Sequence, residues 1–179
     1  TTQCADHSSL VMTNHATHSP VLLQEPYYSV AGTIDNTEYY KTHADRVTVD
    51  GKSSTMEEDV QFAHYDPNVA SLMQLGKWCD YMRENGVYDN TRIILVADHG
   101  RGLYLNWDRV IDNGPDTDFF FPLLMVKDFN AKGFSFSDTF MTTADVPTLA
   151  TSGLIDNPTN PFTGNAINAN AKYDRPFYA

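Results

Sequence analysis

A helical pattern that runs through a short turn into an apolar segment constrains this chain most. Residues 92–97 read Arg-Ile-Ile-Leu-Val-Ala, and such a β-branched run without alternation predicts a strand that helices bury on both faces. A helix is predicted before it over residues 67–85, from apolar residues three and four positions apart and a left-handed stop at Asn85-Gly86. Together these elements predict an α/β fold with a parallel sheet.

The start of that helix is predicted at Asp66-Pro67. An Asp at the N-cap can accept the free amides of the first turn, and a Pro at the first helical position loses nothing by lacking an N–H. Three further elements are predicted: a strand at 8–14, a strand at 119–126 and a short helix at 143–152. Residues 16–58 are predicted to form a long surface excursion, because Pro, Gly and polar residues recur through them.

The charge balance bears on the choice of partner. Asp plus Glu number 23 against 12 Lys plus Arg, a formal net charge of −11, which disfavours a nucleic-acid backbone as ligand. Carboxylates could instead hold a divalent cation. With 179 residues the chain is expected to form a single domain.

Neither a membrane span nor a cysteine framework is predicted. No run of residues reaches the roughly 18 to 20 apolar positions that a transmembrane helix needs, so the fragment itself is expected to be soluble. Cys4 and Cys79 are too few for a disulfide framework, and their spacing matches no zinc motif. Whether the two form a single bridge is left open.

The segment Asp98-His99-Gly100 directly follows the predicted buried strand. In open α/β sheets ligands bind outside the carboxyl ends of the strands, and a carboxylate and an imidazole there can both reach a divalent cation once the chain turns at Gly100. The competing interpretation is an ordinary strand-to-loop turn, in which Asp98 caps amides and His99 is a loop histidine.

Five segments carry a family resemblance. Residues 84–100 lead from a helix through G-V-Y-D-N-T into an apolar strand that ends in D-H-G. The other segments are T-N-H-A-T-H-S-P at 13–20, F-P-L-L-M-V at 121–126, T-A-D-V-P-T-L at 143–149 and N-P-F-T-G at 160–164. In this order and spacing they resemble the alkaline phosphatase/sulfatase superfamily, and most of all its lipoteichoic acid synthase-like, phosphoglycerol transferase branch.

The resemblance implies a three-layer α/β/α fold with a mainly parallel sheet, of which residues 1–179 would form the C-terminal portion. It implies a divalent metal ion (manganese, magnesium, zinc or calcium) bound by Asp98 and His99. His18 matches the H-x-P histidine that lies beside the transferred group, and His15 is its competitor. Three further residues follow D-H-G and are candidates to bind an anionic substrate: Arg101, Trp107 and Arg109.

The activity implied is metal-dependent transfer or hydrolysis of a phospho group, of the phosphoglycerol or phosphoethanolamine type, with a phosphorylated Thr as covalent intermediate. The alternatives are a sulfatase acting on sulfate esters and a catalytically inert extracytoplasmic binding domain. The substrate is expected to be an anionic phospho- or sulfo-ester, with a lipid head group as one candidate. No nucleic acid is expected.

In the family the nucleophile and an acidic metal ligand lie upstream of the H-x-P segment. This fragment is therefore expected to lack its nucleophile and to be inactive alone. A parallel sheet without its leading strands would expose an edge, so the missing N-terminal part of the same protein, or a second copy in a homodimer, is an expected partner. The resemblance places the parent protein at the extracytoplasmic face of a bacterial membrane.

Overall fold

A computed structural model describes residues 8–49, 52–53, 56, 59–103, 111, 114 and 117–174. The chain is mixed α/β. Its helices are α1 (Thr37–Thr42), α2 (Asp59–Glu84) and α3 (Val146–Thr151), and its strands are β1 (Thr48–Val49), β2 (Lys52–Ser53), β3 (Ile93–Val96) and β4 (Leu124–Lys127). Two compact units divide it: the first runs to Met82 and adds 103–108, and the second comprises 83–102 and 109–179.

Helix α2 begins earlier than predicted, because it starts at Asp59 rather than at Asp66-Pro67. Its stop agrees with the prediction, since Gly86 has a φ of 67° and donates its amide to the Arg83 carbonyl at 3.0 Å. The apolar side chains that were predicted to form one buried face of this helix are not buried to the same extent. Met82 is buried, whereas Leu72 is 46% exposed.

Pro67 lies inside α2 and explains how the first unit is assembled. A proline has no amide to donate to the carbonyl four residues before it, so the Ala63 carbonyl lacks its helical partner. The amide of Val21 donates to that carbonyl at 2.8 Å. Two residues further along the chain, the amide of Leu23 donates to Asp66 Oδ2 at 2.8 Å. The Asp-Pro pair therefore docks the segment 21–25 onto the helix instead of starting the helix.

Most of the described residues in 16–58 are exposed, as the sequence predicts, but three of them are buried. Leu23, Glu25 and Asn36 are all buried. The side chain of Asn36 donates to the Leu23 carbonyl at 2.8 Å and accepts the Glu25 amide at 2.9 Å. This part of the chain also contains α1 and the antiparallel pair β1–β2. The segment therefore adds one apolar side chain, Leu23, and two buried polar side chains to the core of the first unit.

The strand predicted at 8–14 is absent. These residues have no regular structure, and Val11 is 92% exposed. A strand is stable only when its backbone groups have a partner, and no described residue pairs with this segment. The apolar run alone was insufficient to form one.

Strands β3 and β4 form a two-stranded antiparallel sheet, with Ile93 opposite Lys127 and Val96 opposite Leu124. Both predicted regions contain a strand, but β4 covers only the end of the predicted 119–126, because Phe119 and Phe120 belong to the 3₁₀ turn Thr117–Phe120. The predicted parallel arrangement is wrong for this pair, and β3 is half-buried rather than covered on both faces, with Val96 40% exposed. A continuous apolar run does not specify the direction of the neighbouring strand.

Arg92, at the start of β3, links the sheet to α3. Its Nη1 donates to three carbonyls at the end of that helix, those of Leu149, Ala150 and Ser152, at 3.0, 3.1 and 2.7 Å. Such contacts satisfy carbonyls that have no partner within the helix. The helix predicted at 143–152 is present as a 3₁₀ turn, Thr143–Asp145, that continues into α3. None of the described helices combines the length and apolar character of a membrane span.

Candidate functional site

The loop Asp98-His99-Gly100 follows β3 in the second unit, as predicted. Backbone hydrogen bonds hold the loop on either side of the two candidate ligands. The amide of Ala97 donates to the Leu123 carbonyl at 2.9 Å, and the amide of Gly100 donates to the Phe119 carbonyl at 2.9 Å. The antiparallel pairing of β3 and β4 thus continues past the strand and fixes the loop backbone.

Gly100 is required by this close approach. A Cβ built at that position would lie 1.9 Å from the carbonyl oxygen of Asp118 and 3.2 Å from that of Phe121. Both atoms belong to backbone, which cannot rotate away as a flexible side chain can. Only glycine lets the loop lie against the 3₁₀ turn Thr117–Phe120.

Asp98 and His99 point their side chains toward each other. The distance from His99 Nε2 to Asp98 Oδ2 is 3.9 Å. The side chain of His99 is 57% exposed and that of Asp98 is 91% exposed. The other carboxylate oxygen, Oδ1, accepts the amide of His99 at 3.0 Å. One oxygen therefore caps the turn, as the simpler interpretation expects, and the second faces the imidazole.

A backbone carbonyl orients the ring of His99. Its Nδ1 lies 2.7 Å from the carbonyl oxygen of Gly100. A carbonyl can only accept, so Nδ1 is the donor in this contact, and Nε2 is the nitrogen that faces Asp98. A backbone carbonyl on one ring nitrogen is the usual outer contact of a metal-binding histidine.

The two side chains are of the types that bind divalent cations, but they are spaced too widely to share one as they stand. Two donors at about 2.0 to 2.2 Å from a tetrahedral ion lie roughly 3.4 Å apart, whereas Nε2 and Oδ2 are 3.9 Å apart. Two ligands do not complete a site. Among the described residues, no group of three or more His, Cys, Asp or Glu side chains is arranged to hold a metal ion.

The histidines of the H-x-P segment lie in the first unit. His18 donates its amide to the His15 carbonyl at 3.1 Å, and the ring centroids are 6.4 Å apart. Both side chains are exposed. The choice of His18 over His15 as the anion-facing residue stays a prediction, as does its approach to His99.

The three predicted substrate-binding residues are not brought together by described contacts. Arg101 directly follows Gly100 and is exposed. Trp107 and Arg109 lie outside the described residues. Their roles stay predictions.

A buried polar cluster in the first unit was missed by the sequence interpretation. Glu25 and Asp66 are 4% and 0% exposed, and Arg46 Nη2 lies 3.3 Å from Glu25 Oε1. Oδ1 of Asp66 has no hydrogen-bond partner among the described residues. Asp66 was interpreted as a helix cap because its real partner, the Leu23 amide, is distant in sequence and leaves no local signal.

Burial has the largest effect on the pKa values of Glu25 and Asp66. Desolvation raises the pKa of Glu25 above its usual range, although the Arg46 guanidinium opposes the shift and Asp66 adds to it. Desolvation likewise raises the pKa of Asp66, against the opposing Leu23 amide and Arg46. One guanidinium between two buried carboxylates leaves an excess of negative charge, so the folded first unit favours the uptake of a proton.

Asp145 in the second unit behaves in the opposite way. Burial alone would raise its pKa, but the Thr142 amide at 2.7 Å and the Lys172 ammonium at 3.0 Å outweigh burial and lower it. A group whose pKa is raised in the folded state stabilises the fold at pH values below its ordinary pKa. That contribution is lost as the pH rises through the folded-state pKa. A lowered pKa stabilises above the ordinary value and loses its effect as the pH falls.

Hydrogen exchange should therefore show opposite pH responses in the two units. Between about pH 4 and pH 7 we expect protection of the Leu23 amide, corrected for intrinsic exchange, to fall as Glu25 and Asp66 ionise. Protection of the Thr142 amide, which Asp145 accepts, should be retained or rise over the same range. The same pH response at both amides would contradict the opposite directions of the pKa shifts of Asp66 and Asp145.

Comparison with protein-family models, with curated proteins and with solved structures finds no match to this chain.

Proposed function

We propose that Asp98 and His99 bind one divalent cation and that this chain contributes them to a metal-dependent phosphotransferase or phosphohydrolase. The observation that carries the proposal is the contact from His99 Nδ1 to the Gly100 carbonyl at 2.7 Å. This contact orients the imidazole so that Nε2 faces a carboxylate oxygen of Asp98, 3.9 Å away, and in the neutral ring Nε2 would offer a lone pair to an ion. Manganese, magnesium, zinc and calcium are the candidate ions.

Each group has a defined part in this proposal. Gly100 lets the loop lie against the Thr117–Phe120 turn, and its carbonyl fixes the imidazole of His99. Asp98 uses one oxygen to cap the turn and keeps the other for the ion. The bound ion would supply Lewis-acid stabilisation of the charge on a phospho group. At least one further ligand is needed to complete a catalytic site of this type.

The remaining features of the proposal rest on the family resemblance. They are the three-layer α/β/α domain, a nucleophile and acidic ligand supplied by another segment, and His18 beside the transferred group. The substrate class is a phosphodiester, with a phosphoglycerol- or phosphoethanolamine-bearing lipid head group as the proposed example. Arg101 is placed by sequence next to the metal ligands and is proposed to pair with substrate oxygens.

This proposal predicts weak metal binding by the chain itself. With two protein ligands, calorimetric titration should give dissociation constants near 1 mM or weaker, the weak end of the affinity range for metal sites. Hydrolysis of a chromogenic phosphodiester should be at background. Asp98→Ala should abolish the residual binding, whereas Asp138→Ala, at an exposed position in the same unit, should leave it unchanged.

Two results would contradict this account in different ways. Binding that persists in both Asp98→Ala and His99→Ala would place the ion elsewhere. Turnover that disappears in Asp98→Ala would show that the chain carries its own nucleophile.

A further inference from the structure

The guanidinium group of Arg46 lies among four aromatic rings in the first unit. Its central carbon is 5.0 Å from the ring centroid of Tyr40 and 5.3 Å from that of Phe62. The rings of Tyr65 and Tyr39 are at 5.6 and 5.8 Å. All four rings thus lie within about 6 Å of the cation. Tyr40 and Phe62 stack on each other, so the guanidinium lies at the edges of this pair, and only the rings of Tyr65 and Tyr39 can turn a face to it. These rings, together with Glu25, are called the cage below.

Glu25 completes the cage with a buried carboxylate. Its side chain is fully buried, that of Arg46 is 12% exposed, and Nη2 to Oε1 measures 3.3 Å. Arg46 Nη1 also donates to the carbonyl of His43 at 2.9 Å. Burial of either charge without the other would be strongly unfavourable. A buried carboxylate enclosed by aromatic rings is a site that suits a planar organic cation.

The walls of the cage are held by contacts that do not involve Arg46. The rings of Tyr40 and Phe62 stack with centroids 3.9 Å apart and planes 10° apart. Asn36 Nδ2 donates to the Tyr40 hydroxyl at 3.3 Å and to the Leu23 carbonyl at 2.8 Å. A cavity whose walls are fixed independently of its occupant is pre-organised for that occupant.

Arg46 uses only part of its donor capacity in the cage. Its Nε is buried and has no hydrogen-bond partner among the described residues. The hydrogen bonds of the side chain are therefore made by the two terminal nitrogens of the guanidinium group, Nη1 and Nη2. The same planar group, detached from the chain, could make the ring contacts and the Glu25 contact.

We propose that the cage is a guanidinium-binding site that Arg46 fills in cis, and that a cage emptied of Arg46 binds a free guanidinium cation. Arg46 then acts as the counter-ion that lets Glu25 and Asp66 be buried in one unit. It also fixes the segment between α1 and β1 to the first turns of α2. This site is separate from the Asp98–His99 pair and does not depend on the proposed function.

Chemical rescue tests the proposal. Arg46→Ala in the full chain should lower the thermal midpoint by about 5 to 10 °C, the shift that a loss of one or two large contacts produces in a chain of this size. Guanidinium chloride at about 50 mM, far below the molar range in which it denatures, should recover about half of that shift through binding to the native state. The wild-type midpoint should not rise.

Three comparisons separate a specific site from a general ionic effect. Sodium chloride and tetramethylammonium chloride at the same ionic strength should recover less, because neither can donate N–H bonds to Glu25. In Lys41→Ala, which removes one positive charge from exposed α1, guanidinium chloride should not raise the thermal midpoint. In Arg46→Ala combined with Glu25→Gln, rescue should fall severalfold.

Two results would overturn the proposal. Equal recovery by sodium, tetramethylammonium and guanidinium would mean that only screening is restored. An Arg46→Ala chain that is unfolded and gains no circular dichroism signal with guanidinium would show that the vacated cage does not bind the cation.

Discussion

Gly100→Ala is expected to destabilise the second unit by about 3 kcal/mol or more, at the upper end of the cost of overpacking a close contact. The new methyl group would lie 1.9 Å from the Asp118 carbonyl oxygen, a separation that only a backbone movement can relieve. Either the 3₁₀ turn at Thr117–Phe120 or the loop Asp98-His99-Gly100 must shift. Urea unfolding measures the loss of stability.

The matched control is Gly76→Ala in the middle of α2. A Cβ there meets no atom within 4 Å, and alanine is a better helix former than glycine by about 0.5 to 1 kcal/mol. This variant should be as stable as the wild type or more stable. If Gly100→Ala matched it, the close approach of the loop to Asp118 would be wrong.

Asp66→Ala is expected to cost about 2 to 3 kcal/mol. The substitution leaves the buried amide of Leu23 without its acceptor, and an unmade buried hydrogen bond carries the full cost of desolvation. Removal of the repulsion between Asp66 and Glu25 offsets part of the loss. Exchange protection at the Leu23 amide should fall more than at the Val21 amide, whose acceptor is the Ala63 carbonyl.

Asp66→Asn separates the acceptor from the charge. The amide oxygen can still accept from Leu23, and burial already favours the neutral form of Asp66. Asn should therefore be less destabilising than Ala at this position. Asp138→Ala, at an exposed position, should change stability by no more than about 0.5 kcal/mol. An Asp66→Asn variant as unstable as Asp66→Ala would show that the charge, not the hydrogen bond, is what matters.

The local signals in the sequence succeeded where local physics decides. The left-handed stop at Gly86 needs only the absence of a Cβ, and the apolar run 92–97 needs only neighbours to form a strand. The loop Asp98-His99-Gly100 lies at the end of that strand as expected. These features depend on residues close together in the chain.

Long-range contacts account for the failures. Asp66-Pro67 has the sequence of a helix start, yet both residues lie within α2. The Val21 amide replaces the one that Pro67 lacks, and the Leu23 amide satisfies the Asp66 carboxylate. The direction of β4 depends on the path of the chain between the strands, which an apolar run does not encode. The cage around Arg46 combines residues from 25 to 65, with no motif to announce it.

Paramagnetic broadening by Mn²⁺ tests most directly the proposal that Asp98 and His99 bind a metal ion. Added at substoichiometric amounts, Mn²⁺ should broaden the side-chain signals of His99 and the backbone signals of Asp98 before those of His15 and His18. In a parallel titration with diamagnetic Zn²⁺, retention of the Nδ1 proton of His99 would show that the ion binds through Nε2, as the contact with the Gly100 carbonyl favours. Earlier broadening of His15 or His18, or an unaltered pattern in Asp98→Ala, would contradict the assignment of Asp98 and His99 as metal ligands.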